Sequence, residues 1–529
     1  MGNKLYHNTK VEASKSPKFP KSRQSPQSLT NYNEAINKAF SRHNGLKESR
    51  FNGNNGSVAP RMFNYSLCRK PSVEDSLNKL NGNCFERSIS DVIPVNAYDK
   101  CNYVARYDFA SSQIQAIMKL DGRLNFNNLV KAVRLSVDVE PVLGCHIIES
   151  KQLYWKRYDD IDNIKFCTIE ETVDIDQAVQ SFIESPMDMM KDPMVIVKLI
   201  RSGTNDILCI KINHVCCDGA GAKEYIQVLS DIYSSIESGD NSFVSDIRIC
   251  SMKDHKRLLD TLSKCNPNTT WSLLSQIPLT TWKFPWKNLQ TGDLGFSICR
   301  LPYGSLDIIK SYAKSRGASI NDLILTALYR AMFEISKPPY GIPMDIPITI
   351  DLRKYLPDHK AEAIRNFSSG ATLKVDRRPN ELFDGTLSRV MTLTKDIKNR
   401  HPNYMTAKCL EIIEKIDLNP IFNAFNVLSQ IINLASKNPF LIFNRCAVTL
   451  SNIGVISREP IKFGKNTVTD AYILPPTVRA PGILLVASTY NGIISLAVGY
   501  YKPSVRKSDM EGLLNKIKDE LIGGCSGRQ

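Results

Sequence analysis

The sequence predicts a mixed α/β fold in two halves, and three observations carry that prediction. At 529 residues the chain is too long for one compact core. Strand-like and helix-like segments are interspersed on both sides of a loop-rich stretch at 238–290, which favours sheets covered on one side by helices. Between a strand-like run and an apolar helix lies His214-Val215-Cys216-Cys217-Asp218-Gly219. There a histidine can be lifted from a sheet edge and held from both sides.

Residues 1–90 are rich in Asn, Ser, Lys and Pro and bury too little apolar surface to offset chain entropy. They are expected to be largely disordered, with a short helix around Tyr32–Phe40. This segment holds 15 Lys/Arg against 6 Asp/Glu, and the other residues 53 against 47, so +9 of the formal +15 lies here. Such a basic tail reads first as a solvated segment, then as an electrostatic tether to an anionic surface. No specific nucleic-acid partner is expected.

Order is expected from Val92. Ile114, Ala116, Met118 and Leu120 alternate as in a strand closed by Asp121-Gly122, and Phe126, Leu129, Val130, Val133 and Val137 follow at helical spacing. Leu153–Tyr158, Met194–Ile200 and Ile207–Ile212 read as strands, the last with Leu208, Ile210 and Ile212 on one face. Tyr225, Ile226, Leu229, Ile232, Tyr233 and Ile236 form a helical stripe after the histidine loop. Trp271, Trp282 and Trp286 in the connecting stretch are expected to pack at a domain junction.

The second half opens with a strand over Gly295–Leu301. Ser319 is placed to cap a helix running from Leu323 to Phe333. Pro343–Ile350 and Ala447–Leu450 read as buried strands. Ile483–Tyr490 and Ile493–Tyr501 flank Asn491-Gly492, a strong hairpin signal. Ser508-Asp509-Met510-Glu511 predicts a capping box for a final helix through Leu513, Leu514, Ile517 and Leu521. The apolar but interrupted stretch Ile421–Phe443 is expected to be a core helix, the other reading being a helix at an acyl entrance beside a membrane surface. The domain division expected is therefore 1–90, 91–280 and 281–529.

The 14 cysteines form no C-x-x-C pair, and no metal site is expected. Scattered cysteines point to a reducing compartment, and a cytoplasmic location is expected. The start Met1-Gly2-Asn3-Lys4 is too polar for a signal peptide, Tyr6 does not fit an N-myristoylation signal, and no apolar run is long enough to span a bilayer.

From chemistry alone, His214 at a strand end is a structural residue or a general base, and Asp218 a helix cap, an ion-pair member or its partner. The segment Ile212-Asn213-His214-Val215-Cys216-Cys217-Asp218-Gly219 resembles the H-H-x-x-x-D-G motif of the CoA-dependent acyltransferase superfamily. That group includes chloramphenicol acetyltransferase, condensation domains, alcohol acetyltransferases and wax ester synthases. Further segments fall in the family's order: Leu120–Leu124 with Ala132–Arg134, Glu140–Leu143, Ala318–Leu325, Asp351-Leu352-Arg353, Asn366–Gly370 and Ser451-Asn452-Ile453-Gly454. The resemblance spans about 100–505.

The resemblance implies two chloramphenicol acetyltransferase-like halves, each a mixed sheet with helices, around a central tunnel. It implies His214 as general base and Asp218 as an architectural residue paired with an arginine. The family's first-half arginine falls at Gly144 or Cys145 here, so Arg353 is the expected substitute. Asn213 replaces the first motif histidine. Backbone N–H groups near Gly219, and less directly Asn452, are the candidate oxyanion donors. The expected reaction moves an acyl group from a CoA or carrier-protein thioester to a small-molecule alcohol or amine, with that thioester as co-substrate and no permanently bound cofactor. A monomer is expected. The competing reading is a weakened member that serves as a binding or scaffold module.

Overall fold

The computed structural model describes residues 92–105, 111–149, 153–239, 253–264, 282–356, 359–400, 404–415 and 446–527. The 1–90 tail, the helix expected at Tyr32–Phe40, Trp271 and the stretch Ile421–Phe443 lie outside the described residues.

The N-terminal part contributes β1 (Val92–Pro94), β2 (Gln113–Leu120), β3 (Cys145–Ile148), β4 (Tyr154–Arg157), β5 (Cys167–Glu171), β6 (Val195–Ser202) and β7 (Asn205–Asn213). The C-terminal part contributes β8 (Leu294–Arg300), β9 (Pro343–Asp351), β10 (Ser368–Asp376), β11 (Ala447–Val455), β12 (Lys462–Phe463), β13 (Asn466–Leu474), β14 (Gly482–Tyr490) and β15 (Ile493–Tyr501). Two six-stranded sheets result, ordered β12-β13-β2-β7-β6-β5 and β10-β9-β11-β14-β15-β8, with a small β1-β4-β3 sheet beside them. Both large sheets are mixed: β5 runs parallel to β6, and β11 runs parallel to β9 and β14.

Strand alternation explains the two cores. Ile114, Ala116, Met118 and Leu120 of β2 join Leu208, Ile210 and Ile212 of β7 in one core under the helices Phe126–Val139 and Gly219–Ser238. The opposite faces carry Ile117 and Cys209, which pack with Phe182, Ile183, Leu294, Phe296 and Ala497. That second layer lies between the two sheets. Crossing strands reinforce it, because β13 leaves the C-terminal part and pairs antiparallel with β2, Ala471 opposite Met118.

The expected hairpin forms, with Ser488 opposite Ser495 and positive φ at Asn491 and Gly492 (44° and 76°). Those two left-handed residues give the turn the twist of its strands. Ser319 caps the helix Ile320–Ser336 in a full capping box with Asp322. The final helix starts two residues earlier than expected, at Lys507, and its N-cap is Arg506 without a side-chain cap. Arg506 Nε instead donates to the Asp509 carboxylate at 3.0 Å, so the Ser508 capping box does not form. The apolar residues still face inward as expected: Met510, Leu513, Leu514, Ile517 and Leu521 are all buried.

Two further expectations change. The stretch 238–290 is not all loop, since Lys253–Ser263 is a helix whose Leu258 and Leu262 are buried one turn apart. Trp282 and Trp286 pack into the core of the C-terminal sheet, where Trp282 lies against Tyr329 and Phe333 and donates its indole N–H to the Asp345 carbonyl at 2.9 Å. That bond explains how a tryptophan is buried without an orphaned donor. No described helix is long and apolar enough to cross a membrane.

Candidate active site

The histidine loop begins where sheet pairing ends. Gln113 faces Asn213 as the last β2–β7 pair, and the His214 N–H then donates to the Ser112 carbonyl at 2.7 Å. Asn213 turns the chain: its carbonyl accepts from the Cys216 N–H at 3.2 Å, and its side-chain oxygen from the Val215 N–H at 3.0 Å. Asn213 thus shapes the loop through an Asx turn. Val215, Cys216 and Cys217 are buried behind His214, which is half-buried. The imidazole Nδ1 is enclosed without a hydrogen-bond partner among the described residues.

Asp218 ends the loop as the N-cap of the helix Gly219–Ser238, accepting the Gly221 N–H at 2.9 Å through Oδ1. Its Oδ2 accepts from Arg353 Nη1 at 2.9 Å, the Phe367 N–H at 2.8 Å and Ser368 Oγ at 3.0 Å. The structure therefore brings Arg353 to Asp218, with side chains only 4% and 2% exposed. Burial alone would raise the Asp218 pKa, but the Arg353 charge and these hydrogen bonds hold it at about 2. Arg353 carries its own supports. Nη2 donates to the Arg365 carbonyl at 2.7 Å, Asp351 lies 3.3 Å from Nη1, and Glu224 lies 3.6 Å from Nε. Burial would lower the guanidinium pKa, and these carboxylates together raise it instead.

The segment 364–368, which leads into β10, forms one wall of the loop. Asn366 Nδ2 donates to the carbonyls of His214 (3.0 Å) and Val215 (2.7 Å). Behind it, the fully buried Asp99 pairs with Arg365 and accepts the Trp155 indole N–H at 3.1 Å. Burial raises the Asp99 pKa, opposed by Arg365. Glu140 also reaches this segment, accepting the Ile364 N–H at 3.2 Å. On the other side, Lys223 Nζ donates to the Ile453 carbonyl at 2.7 Å and the Val455 carbonyl at 3.2 Å, tying the motif helix to β11. Gly219 is needed at that contact, because a Cβ there would come 2.8 Å from Ile453 Cγ2.

Asn452 sits at an irregularity in β11, where pairing with β14 shifts between Asn452 and Gly454. Its amide is engaged locally: Nδ2 donates to Asn321 Oδ1 at 3.3 Å, and Oδ1 accepts the Gly454 N–H at 3.0 Å. The β11 end thus meets the motif helix at Gly219–Ile453, while the Asn452 side chain is committed to Asn321. No group of side chains among the described residues is arranged to hold a metal ion.

A cleft of about 680 Å³ opens at the seam between the two parts, lined by Ser111 and Ser112, the 184–190 loop, Gly292–Leu294 and Tyr501. Ser112 is the residue whose carbonyl holds the His214 N–H, so the cleft adjoins the loop. Four carboxylates line it among the described residues (Glu149, Glu184, Asp188 and Asp293), of which Glu184 pairs with Lys502 and Asp188 with Lys191.

Sequence reasoning missed Asp99, Arg365, Lys223 and the role of Asn366. Asp99 and Arg365 stand alone in unremarkable sequence, and only the fold brings these distant positions together. Asn366 lay inside a motif-like segment, but nothing in the sequence indicated which carbonyls it meets.

These features make up a fold of the condensation-domain type. Residues 107–250 match the family model described as the condensation domain. The fold is also similar to solved structures over most of their length. Trichothecene 15-O-acetyltransferase from Fusarium sporotrichioides aligns with a TM-score of 0.61 and 13% identity, over 81% of this chain and 94% of that one. The first condensation domain of the calcium-dependent antibiotic synthetase gives 0.58 and 11%, over 83% and 97%. Polyketide synthase associated protein 5 from Mycobacterium tuberculosis gives 0.53 and 15%, over 82% and 98%. At these identities the likeness establishes the fold. No curated protein matches the sequence.

Proposed function

We propose that the protein is an acyltransferase that moves an acyl group from a CoA or carrier-protein thioester to an alcohol or amine, with His214 as general base. The observation that carries this reading is the division of labour within the loop. Asp218 is fully committed to Arg353, Gly221, Phe367 and Ser368, so it fixes the loop, and the half-buried His214 takes no part in that ion pair. A half-buried imidazole on a braced loop is suited to proton transfer.

In the proposed step, Nε2 of the neutral imidazole takes the proton of the acceptor hydroxyl or amine as its oxygen or nitrogen attacks the thioester carbonyl. The new C–O or C–N bond forms, a tetrahedral oxyanion develops, and the C–S bond then breaks. The departing thiolate receives the proton from the imidazolium, which restores the neutral base. Backbone N–H groups at Gly219 are the candidate oxyanion donors, since amides at a helix start have no partner within their own helix; the Gly221 N–H is already taken by Asp218. With its amide engaged by Asn321 and Gly454, Asn452 supports the site by shaping the β11 end.

Thiol release from a panel of acyl-CoAs with alcohol and amine acceptors tests the reading. Acceptor-dependent release of free thiol is expected from the wild-type protein. A binding or scaffold module would retain the thioester without turnover.

A further inference from the structure

We infer that Asn366 is a positioning residue that sets the place of the His214 imidazole from across the interface between the two parts of the fold. The inference rests on the proposed role of His214. The His214 peptide is held at both ends: its N–H by the Ser112 carbonyl from the N-terminal part, its C=O by Asn366 Nδ2 from the C-terminal part. The same Nδ2 also donates to the next carbonyl, Val215, at 2.7 Å. Two adjacent peptide oxygens thus converge on one amide group. The reversed amide would aim its oxygen at both of them, so the donor assignment is fixed by chemistry.

The amide is held through its nitrogen, while Oδ1 is enclosed with no hydrogen-bond partner among the described residues. Asn366 is 1% exposed, its third acceptor is Asp99 Oδ1 at 3.5 Å, and its neighbour Arg365 is paired with Asp99. Asp99 is anchored in turn by the Trp155 indole N–H and the Asn96 N–H. Arg353, whose Nη2 donates to the Arg365 carbonyl, links this group to Asp218 at the far end of the same loop. One short segment, 364–368, therefore clamps the histidine loop at its start through Asn366 and at its end through Phe367 and Ser368. Asp218 holds the end of the loop; Asn366 holds the residue whose ring does the proposed chemistry. Side-chain amides of Asn366 do not reach the imidazole, so its effect passes through the backbone of His214.

Asn366→Ala and the milder Asn366→Ser, which keeps one donor, test this in two ways. Amide exchange of the 206–216 segment in the full-length protein is expected to be about 5- to 10-fold faster in Asn366→Ala, as loss of one to two buried hydrogen bonds requires, with Asn366→Ser between it and wild type. In the acyl-transfer assay, Asn366→Ala is expected to lower kcat about 10- to 100-fold with little change in the KM for the thioester. Added to His214→Ala, it should lower the residual rate no further, because it acts only through that histidine. A multiplicative loss in the double variant, or wild-type exchange at 206–216 in both variants, overturns the inference. The exchange arm does not depend on turnover. An inactive wild-type protein with a loosened Asn366→Ala loop would count against the proposed reaction and leave the positioning role standing.

Discussion

Replacing Arg353 by methionine probes the joint that holds the histidine loop. Methionine roughly fills the volume but removes the charge and every donor. Asp218, 2% exposed, would keep the Gly221 and Phe367 N–H groups and the Ser368 hydroxyl, and lose the guanidinium. Breaking a buried pair from one side leaves an uncompensated charge and costs about 3–5 kcal/mol. The pH dependence carries the sharper signature. In the wild-type protein the Asp218 pKa is held at about 2, below the ordinary aspartate value of 3.8. It therefore contributes stability above about pH 4, which is lost as pH falls toward 2. That contribution is about 2 kcal/mol, at 1.36 kcal/mol per unit. Without Arg353, burial is the dominant influence and pushes the carboxyl above its ordinary range. The variant is then penalised at neutral pH and relieved by protonation on acidification. Urea unfolding of both proteins between pH 7 and pH 4 measures the gap. It should be about 3–5 kcal/mol at pH 7 and narrow as pH falls. A gap under about 1 kcal/mol, or one constant with pH, would refute the reasoning.

Further outcomes follow from the same geometry. Gly219→Ala places a Cβ 2.8 Å from Ile453 Cγ2 and should push β11 from the motif helix, lowering transfer activity about 10-fold or more; adding Ile453→Ala removes the clashing methyl and should restore part of it. Lys211, buried against Phe182 and donating to the Ser185 carbonyl and hydroxyl, has its pKa lowered by burial to about 8. Its folded-state charge is therefore a penalty that is relieved as pH rises above 8, so the stability of the wild-type protein relative to Lys211→Met should rise by up to about 3 kcal/mol between pH 8 and 10, read by urea unfolding.

The sequence made the elements legible where local rules and tertiary packing agree. The alternation in β2 and β7, the Asn491-Gly492 hairpin and the Ser319 cap all rest on short-range physics, and each forms as read. The Ser508 box failed because the helix starts at Lys507 and Arg506 takes Asp509 for itself. The helix Lys253–Ser263 was hidden among charged residues, although Leu258 and Leu262 carry its stripe. At the site, the position of Arg353 beside Asp218 was reachable from the absence of an arginine at Gly144 or Cys145. The rest is long-range: Asp99 meets Arg365 across 266 positions and Lys223 meets Ile453 across 230. No periodicity or motif encodes such pairs, because the intervening fold creates them.

The central claim is that His214 moves a proton in acyl transfer, and the direct measurement is acceptor-dependent thiol release by wild type and His214→Ala, with the folded state of the variant checked by its unfolding midpoint. The account predicts a fall of about 10²–10⁴ in kcat/KM with an unchanged midpoint. A folded His214→Ala protein that turns over at the wild-type rate would contradict it.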